Sequence, residues 1–321
     1  MIATRLTRAL SIEAPILSAP MAFASGGALA AAVTRAGGLG LIGGGYGDPA
    51  FVEAAFRDAG NTRVGCGFIT WRLPEHPDTL RLALERRPVA VMLSFGDPSP
   101  YAAAVRDAGA LLICQVQDLP SARLARAAGA DVIVAQGAEA GGHGATRATM
   151  TLVPEVRDAL GPEPLLVAAG GIADGRGLAS ALALGADGVL MGSRFWASAE
   201  ALTHERHVAA AIAADGDGTV RQRATDIARG YDWPDAYTAR VLDNAFVRRW
   251  GGRPQEHRAA AAAQREGYTE AFRAGDPEEV GVFVGEAAGL IYDRPTAADI
   301  VARTVAEAEA VISAVASLST G

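Results

Sequence analysis

The chain has 321 residues and a formal net charge of −7, and half of its residues are hydrophobic. This composition supports a large buried core and argues against global disorder. No block of basic residues is present, which argues against nucleic acid as the main partner. All 29 side chains of the Lys and Arg class are arginine. A Schiff-base lysine and a lysine-dependent phosphate loop are therefore excluded.

The cysteine content and the hydropathy pattern bear on location. Cys66 and Cys114 both lie inside apolar runs, which predicts two buried thiols rather than a disulfide or a metal site. No uninterrupted apolar run reaches the length of a membrane span, and no signal-peptide pattern opens the chain. We therefore expect a cytoplasmic protein without a metal centre and without a membrane contact.

A short unit recurs along the chain: an alanine-rich helical segment, a glycine, and then a continuous apolar run, as in residues 127–134. A glycine suits the end of a helix, and continuous apolar runs suit strands that are buried on both faces. The predicted strands begin near Pro15, Leu39, Val64, Val89, Leu111, Asp131, Leu165 and Gly188. Eight strand–helix units predict an α/β fold, a (β/α)8 TIM barrel with its site at the carboxyl ends of the strands. An open doubly wound sheet is the alternative, but it would lack the count of eight.

Residues 198–295 do not continue the strand–helix repeat, and their sequence pattern is mostly helical, as in residues 257–274. We predict a helical cap inserted after strand eight, whose aromatic residues, including Trp233 and Tyr237, shield the site. A last helix, from about residue 296 to 318, would return to close the barrel. The predicted domains are a barrel of residues 1–197 and 296–321 and a cap of residues 198–295. An ordinary C-terminal helical extension is the alternative.

The sixth strand leads into a glycine-dense loop, residues 135–144, that carries Gln136, Glu139 and His143. Glycines allow the backbone to approach a flat or anionic ligand, and histidine is the side chain best suited to moving protons near neutral pH. His143 is the only histidine at a predicted strand end and is the candidate for proton transfer. Glu139 is predicted to orient the loop or the imidazole. A capping role or a position at the surface is the alternative. The other histidines, His76, His204, His207 and His257, are predicted to lie at the surface.

The loops after strands seven and eight predict a phosphate site. Gly170 and Gly171 follow strand seven, and Met191-Gly192-Ser193 follows strand eight. Barrel phosphate sites are typically built by these two loops, with glycine amides around the anion and a hydroxyl such as that of Ser193 beside it. Asp174 is predicted to cap the following helix. Two ordinary turns are the alternative.

Strand one ends in Ala19-Pro20-Met21, which combines small residues with a proline. Such a backbone suits close contact with a ring system, although Met21 alone would read as core filling. A ring-binding segment opposite a phosphate site indicates a flat cofactor that bears a phosphate, namely flavin mononucleotide (FMN). Gln136 would then hydrogen-bond the ribityl chain or the ring edge.

Together these segments resemble the nitronate monooxygenase family, also called the 2-nitropropane dioxygenase-like flavoproteins. The resemblance rests on Ala19-Pro20-Met21, residues 36–40, 136–143 and 169–175, and Met191-Gly192-Ser193-Arg194-Phe195, in this order over about two thirds of the chain. It implies an FMN-binding TIM barrel with a helical cap that oxidises alkyl nitronates with O2 to carbonyl compounds and nitrite. His143 becomes the catalytic base. The implied FMN contacts are Ala19, Pro20, Met21, Gly67, Gln136, Gly141, Gly142, Gly170, Gly171, Leu190, Met191, Gly192 and Ser193.

One departure leaves the substrate open. Many members of the family carry an asparagine at the end of strand three, where this chain has Gly67. A side-chain contact to the flavin would be lost, and backbone or Thr70 would have to replace it. An FMN-dependent NAD(P)H reductase of enoyl thioesters or of quinones is the alternative enzyme, and a flavin-binding sensor or scaffold is the non-enzymatic one. The predicted partners are a small nitronate and O2, with a homodimer left open.

Overall fold

The computed structural model describes residues 2–318. Eight parallel strands stand in the order β1-β9-β8-β6-β5-β4-β3-β2, and a parallel bridge between Leu17 and Leu39 joins the two ends. The strands are β1 Ile16–Ser18, β2 Leu41–Gly45, β3 Gly65–Ile69, β4 Ala90–Ser94, β5 Leu111–Val116, β6 Val132–Gln136, β8 Leu165–Ala169 and β9 Gly188–Met191. Each begins within two residues of its predicted position. The prediction of a TIM barrel is confirmed.

The helices that follow the strands form the outer layer. They are α2 Gly27–Arg35, α3 Pro49–Ala59, α4 Pro77–Glu85, α5 Ser99–Asp107, α6 Leu119–Ala127, α7 Thr149–Leu160, α8 Gly175–Ala183 and α9 Ser193–Trp196, with a 3-10 helix at Thr70–Glu75. The first helix, α1 Arg5–Leu10, precedes β1, and its Leu6 and Leu10 pack with the residues inside the barrel. Asp174 accepts a hydrogen bond from the Gly177 amide and so caps α8, as predicted. Both cysteines are buried, also as predicted.

The barrel has two apolar layers because side chains alternate along each strand. Val132 and Val134 of β6 point into the barrel, where they pack with residues such as Ile113. Ile133 and Ala135 point outward and pack under the helices. Strands buried on both faces explain why the sequence shows continuous rather than alternating apolar runs.

The segment between α9 and the last helix covers the carboxyl end of the barrel. Its elements are α10 Glu205–Ala213, β10 Thr219–Gln222, α11 Ala224–Arg229, β11 Thr238–Leu242, α12 Ala245–Trp250, α13 Pro254–Ala274 and a 3-10 helix Glu286–Leu290. The strands were not predicted: β10, β11 and β7, Gly142–Gly144, form an antiparallel sheet in the order β10-β11-β7. The cap is therefore joined by a sheet to the loop that carries His143.

The last helix, α14 Ala297–Ser317, has Thr296 as its N-cap and packs against α8 and α2. This agrees with the predicted return of the chain to the barrel. The predicted domain ranges include Met1 and residues 319–321, which lie outside the described residues, and the ranges themselves stay a prediction.

A buried carboxylate joins three elements at the amino end of the barrel. Asp187, only 8 % exposed, accepts hydrogen bonds from Arg5 Nε (2.8 Å) and Nη2 (2.7 Å), Arg157 Nη2 (2.7 Å) and the Leu166 amide (2.9 Å). Burial alone would raise the pKa of Asp187, but these donors outweigh it and the pKa is lowered.

We expect Asp187→Ala to lower the free energy of unfolding at neutral pH by about 3 kcal/mol, because it leaves two arginines without their shared partner. Since the native pKa is lowered, the stabilisation is complete above the ordinary aspartate pKa and is lost as the pH falls through the native value. Urea unfolding at several pH values measures this. Asp158→Ala, an exposed position on α7, is the control, and an equal loss in both variants would contradict the assignment.

Candidate active site

A cavity of about 610 Å3 opens at the carboxyl end of the barrel, between the strand ends and the cap. The predicted site residues that line it are Ala19, Pro20, Met21, Gly67, Gln136, Gly141, Gly142, His143, Gly170, Gly171, Leu190, Gly192 and Ser193. Met191 is the exception, because its side chain is fully buried in the core outside the barrel strands. The structure therefore brings the predicted residues together from six segments of the chain.

The two loops predicted to hold a phosphate lie side by side. The backbone N–H groups of Gly171 and Gly192 donate no hydrogen bond to any residue of the described range 2–318. Gly171 has φ +73° and Gly170 has φ +102°, which only glycine adopts readily. The hydroxyl oxygen of Ser193 accepts a hydrogen bond from the Gly285 amide at 2.9 Å, and its own hydrogen stays free to donate. Two free amides beside a hydroxyl suit an anion.

The backbone near Gly67 fits a flat ligand but has no room for a side chain. A Cβ at Gly67 would lie 2.3 Å from Cγ of Pro20. Pro20 thus occupies the space that the asparagine of many relatives would need. The hydroxyl of Thr70, the suggested substitute, is buried without a partner and does not line the cavity.

His143 is held by two side chains of the cap. Its ring stacks on Trp233 with centroids 3.4 Å apart, and its Nε2 lies 3.0 Å from both carboxylate oxygens of Asp226. The two side chains are 8 % and 4 % exposed. Burial lowers the pKa of His143, although the bond to Asp226 opposes the shift. A neutral imidazole results near neutral pH.

The tautomer of His143 follows from its partner. An ionised carboxylate only accepts hydrogen bonds, so the proton of the neutral ring must sit on Nε2. Nδ1 then carries the lone pair, and it has no hydrogen-bond partner within residues 2–318. His143 lines the cavity, and Nδ1 is the basic atom of its neutral ring.

Amide and carboxylate side chains fix the loop that carries His143. Gln136 accepts from Gln115 (3.2 Å) and Gln117 (2.9 Å), and it donates to the carbonyl of His143 at 3.1 Å. Glu139 accepts from the Thr149 amide (3.0 Å) and hydroxyl (2.9 Å), so it caps α7. Glu139 therefore has the capping role among its predicted alternatives.

Two arginines of the cap sheet clamp the same loop from above. Arg221 donates to the carbonyls of Ala138 (3.0 and 3.1 Å), Gly144 (3.2 Å) and Ala140 (3.3 Å). Arg240 also donates to the Ala138 carbonyl at 3.1 Å. Burial, and then the charge of Arg240, lower the pKa of Arg221 to about 10.

We expect Arg221→Met to lower the free energy of unfolding by about 2–3 kcal/mol, because buried carbonyls lose their donors. Amide exchange of residues 138–144 should become faster, since the loop loses its clamp. Urea unfolding and hydrogen exchange measure the two effects. Arg248→Met, at a mostly exposed cap position, is the control. Unchanged exchange in residues 138–144 would contradict the clamp.

The prediction that the remaining histidines lie at the surface is wrong for two of them. His207 is 4 % exposed and His257 is 1 % exposed, and burial lowers the pKa of each to about 4. His257 stacks on Trp250 at 4.3 Å. A polar sequence neighbourhood on an amphipathic helix conceals an inward-facing position, which is why the sequence misled here.

Sequence reasoning missed Asp226, Arg221 and the two phenylalanines at the cavity wall, Phe23 and Phe95. Both phenylalanines have φ +64°, a conformation uncommon for bulky residues that concentrates at functional sites. Asp226 is 83 residues from its partner, and no local pattern marks the pair. Trp233, predicted to shield the site, packs directly on His143.

The described residues hold neither a metal-binding cluster nor a membrane-spanning helix. No group of three or more His, Cys, Asp or Glu side chains suited to a metal ion occurs there. No helix of residues 2–318 is long and apolar enough to cross a membrane.

Comparison with known proteins identifies the family of the chain. The nitronate monooxygenase family model matches residues 3–63 and 72–307. The unmatched residues between them include Gly67. The nitronate monooxygenase npaC of Metarhizium robertsii is 37 % identical, over 94 % of this chain and 92 % of its own length.

Two solved structures resemble the whole chain. FabK from Thermotoga maritima has a TM-score of 0.87 and 32 % identity, covering 99 % of this chain and 100 % of its own. The nitroalkane oxidase of Streptomyces ansochromogenes has a TM-score of 0.79 and 27 % identity, covering 97 % and 99 %. With the family model matching nearly the full length, the chain is an oxidoreductase that belongs to the nitronate monooxygenase family.

Proposed function

We propose that the cavity binds FMN. The free amides of Gly171 and Gly192 and the hydroxyl of Ser193 would hold the phosphate, and Ala19-Pro20-Met21 with Gly67 would lie along the ring. A Cβ at Gly192 would meet only Ala19 and Met21, at 3.7 and 3.9 Å, so the absence of a side chain leaves room there. Met191 would contribute backbone only. Flavin dependence is general for the family, which supports this assignment.

We further propose that the protein oxidises alkyl nitronates with O2 to carbonyl compounds and nitrite. FMN, when bound, would supply the transfer of electrons from the nitronate to O2. The observation that carries this proposal is a neutral His143, held by Asp226 and Trp233, that lines the same cavity as the glycine loops.

The chain's own groups have separate tasks in this reaction. His143 Nδ1 would accept the proton from the α-carbon of a neutral nitroalkane. Asp226 would hold Nε2–H and stabilise the imidazolium that forms. Trp233 and Phe95, whose rings lie 5.0 Å apart, would exclude water from the reacting atoms. The segment 198–295 would thus serve as the substrate-covering cap.

An absorption spectrum of the purified protein tests the cofactor. We expect a yellow protein whose flavin is released by heat as FMN. A colourless protein that takes up no added FMN would contradict the assignment.

Anaerobic titration tests the substrate. Ethylnitronate is expected to reduce the bound flavin, and oxygen is then expected to return it to the oxidised form with formation of nitrite. Rapid reduction by NADH or NADPH together with no reaction with ethylnitronate would favour the reductase of enoyl thioesters or quinones. Failure of all three donors would favour the sensor or scaffold. Gel filtration with light scattering tests whether the protein is a homodimer, which the sequence left open.

A further inference from the structure

Arg229, the last residue of α11, lies in the wall of the same cavity. Four aromatic rings surround its guanidinium carbon, at distances of 4.8 to 5.6 Å from their centroids. These rings belong to Phe23, Tyr46, Tyr231 and Phe283. Rings around the guanidinium fix its position by cation–π contacts and leave hydrogen-bond donors at its edge.

The guanidinium of Arg229 makes no hydrogen bond and no ion pair within the described residues. The nearby carboxylate, Asp226, has both oxygens 3.0 Å from His143. Arginine carries five N–H donors, and enclosed donors without acceptors are costly. A cavity-facing arginine of this kind suits an anionic ligand.

Other enclosed arginines of the protein differ in this respect. Arg221 donates to four backbone carbonyls, and Arg240 pairs with Glu286 at 2.7 Å. Arg194 donates to Asp293 at 3.0 Å. These three arginines hold the fold together, whereas the donors of Arg229 are uncommitted. The difference assigns Arg229 to a ligand rather than to the scaffold.

Arg229 and His143 border the same part of the cavity. The ring of Phe283 lies 5.6 Å from the guanidinium carbon of Arg229 and 6.3 Å, between centroids, from the imidazole of His143. The positive charge of Arg229 is also close enough to help lower the pKa of His143. An anion beside Arg229 would therefore lie within the region that the base serves.

We propose that Arg229 binds the planar, two-oxygen anionic group of the substrate, and that it makes the protein prefer an anionic nitronate to the neutral nitroalkane. This inference rests on the proposed function. The guanidinium presents a planar pair of N–H donors that matches an O–N–O anion with two parallel hydrogen bonds. The oxygens of a neutral nitro group carry less charge and accept more weakly.

The first test measures anion binding without turnover. Nitrate, a planar oxyanion, replaces chloride at constant ionic strength, and its Kd for the holoprotein is measured by calorimetry. Removal of charged hydrogen bonds in Arg229→Gln should raise the Kd about 10-fold or more. Arg265→Gln removes the same charge from an exposed cap position outside the cavity and should leave the Kd within about 2-fold, since exposed charges are screened.

Arg229→Lys guards against a folding defect, because it keeps the charge and the contact with the rings but loses the planar fork. It should melt near the wild-type temperature and still bind nitrate more weakly than wild type. Nitrate affinity that is unchanged in Arg229→Gln, or equally weakened in Arg265→Gln, would overturn the proposal.

The second test compares kcat/KM for ethylnitronate and for neutral nitroethane. Arg229→Gln should lower the ethylnitronate value about 10-fold or more, in line with the lost charged hydrogen bonds, and the nitroethane value much less. An equal loss on both substrates would overturn the proposed preference. Nitrate binding that depends on Arg229, in a protein that oxidises no nitronate, would refute the proposed function and keep the anion site. Normal oxidation of ethylnitronate by Arg229→Gln would refute the anion site and keep the proposed function.

Discussion

His143→Ala is expected to lower kcat/KM for a neutral nitroalkane by roughly 100- to 10,000-fold, the usual loss when a positioned proton-transfer group is removed. The loss should be smaller with preformed nitronate, whose α-proton is already gone. Flavin content should stay normal, because the imidazole is proposed to serve the substrate. Steady-state kinetics on both substrates, with an absorption spectrum and a melting curve, measure these effects.

Asp226→Asn is the companion variant for His143. An asparagine can donate to Nε2, which would move the ring proton to Nδ1 and block the basic atom. Activity on nitroalkane should then fall nearly as far as in His143→Ala, although the side chain at 226 keeps its size. Wild-type activity on both substrates in His143→Ala would remove His143 as the base. Equal losses on both substrates with lost flavin would instead make His143 a structural residue.

The pH dependence of the wild type has a definite sign. Burial lowers the pKa of His143 below its ordinary value near 6.5. The base is active when deprotonated, so kcat/KM for nitroalkane should rise with pH along a curve whose midpoint lies below pH 6.5. A rise centred above that value would contradict the neutral imidazole.

Gly171→Asp is expected to weaken FMN binding by about 4 kcal/mol, or roughly 1,000-fold in Kd, if the new carboxylate lies about 4 Å from a phosphate charge in a partly buried site. A Cβ at this position would also lie 3.2 Å from Cβ of Glu139, which brings two carboxylates together. Fluorescence titration of the apoprotein with FMN measures the Kd.

The control for Gly171→Asp must separate charge from backbone strain. Gly252 has φ +77°, close to the φ +73° of Gly171, and a Cβ there would meet nothing within 4 Å. Gly252→Asp therefore carries the same conformational penalty outside the cavity and should bind FMN normally. Normal flavin occupancy in a folded Gly171→Asp protein would place the phosphate elsewhere.

The barrel could be predicted from the sequence because its signals are local. A glycine after a helix and a continuous apolar run mark strands such as β6, and the loops at their ends follow directly. The position of His143 among glycines identified the candidate base for the same reason. The candidate phosphate loops could be proposed from the sequence because Gly170 and Gly192 stand directly after strands.

The partners of His143 could not be predicted because they come from distant segments. Asp226 and Trp233 reach the imidazole only after the cap folds over the barrel, and neither lies in a motif. The cap strand β11 is only five residues long, and its partner β7 is only three residues long. Such short strands form because they pair within the sheet, and not because of the strand propensity of their own residues.

The pairing of β7 with β11 also constrains the design of chimeric proteins with a cap from a relative. Ala239 of the cap pairs with His143 in this ladder, so the strand that carries the base pairs with a strand of the cap. A cap grafted from a relative would have to reproduce that register, or it would displace the imidazole while leaving the barrel intact. A hinged opening of the whole cap would likewise break backbone hydrogen bonds at the base. Substrate therefore enters and leaves more easily by movement of side chains at the rim of the cavity, such as the exposed Phe23, Leu202 and Phe272. Chimeric proteins should take β7, β10 and β11 together from the same parent.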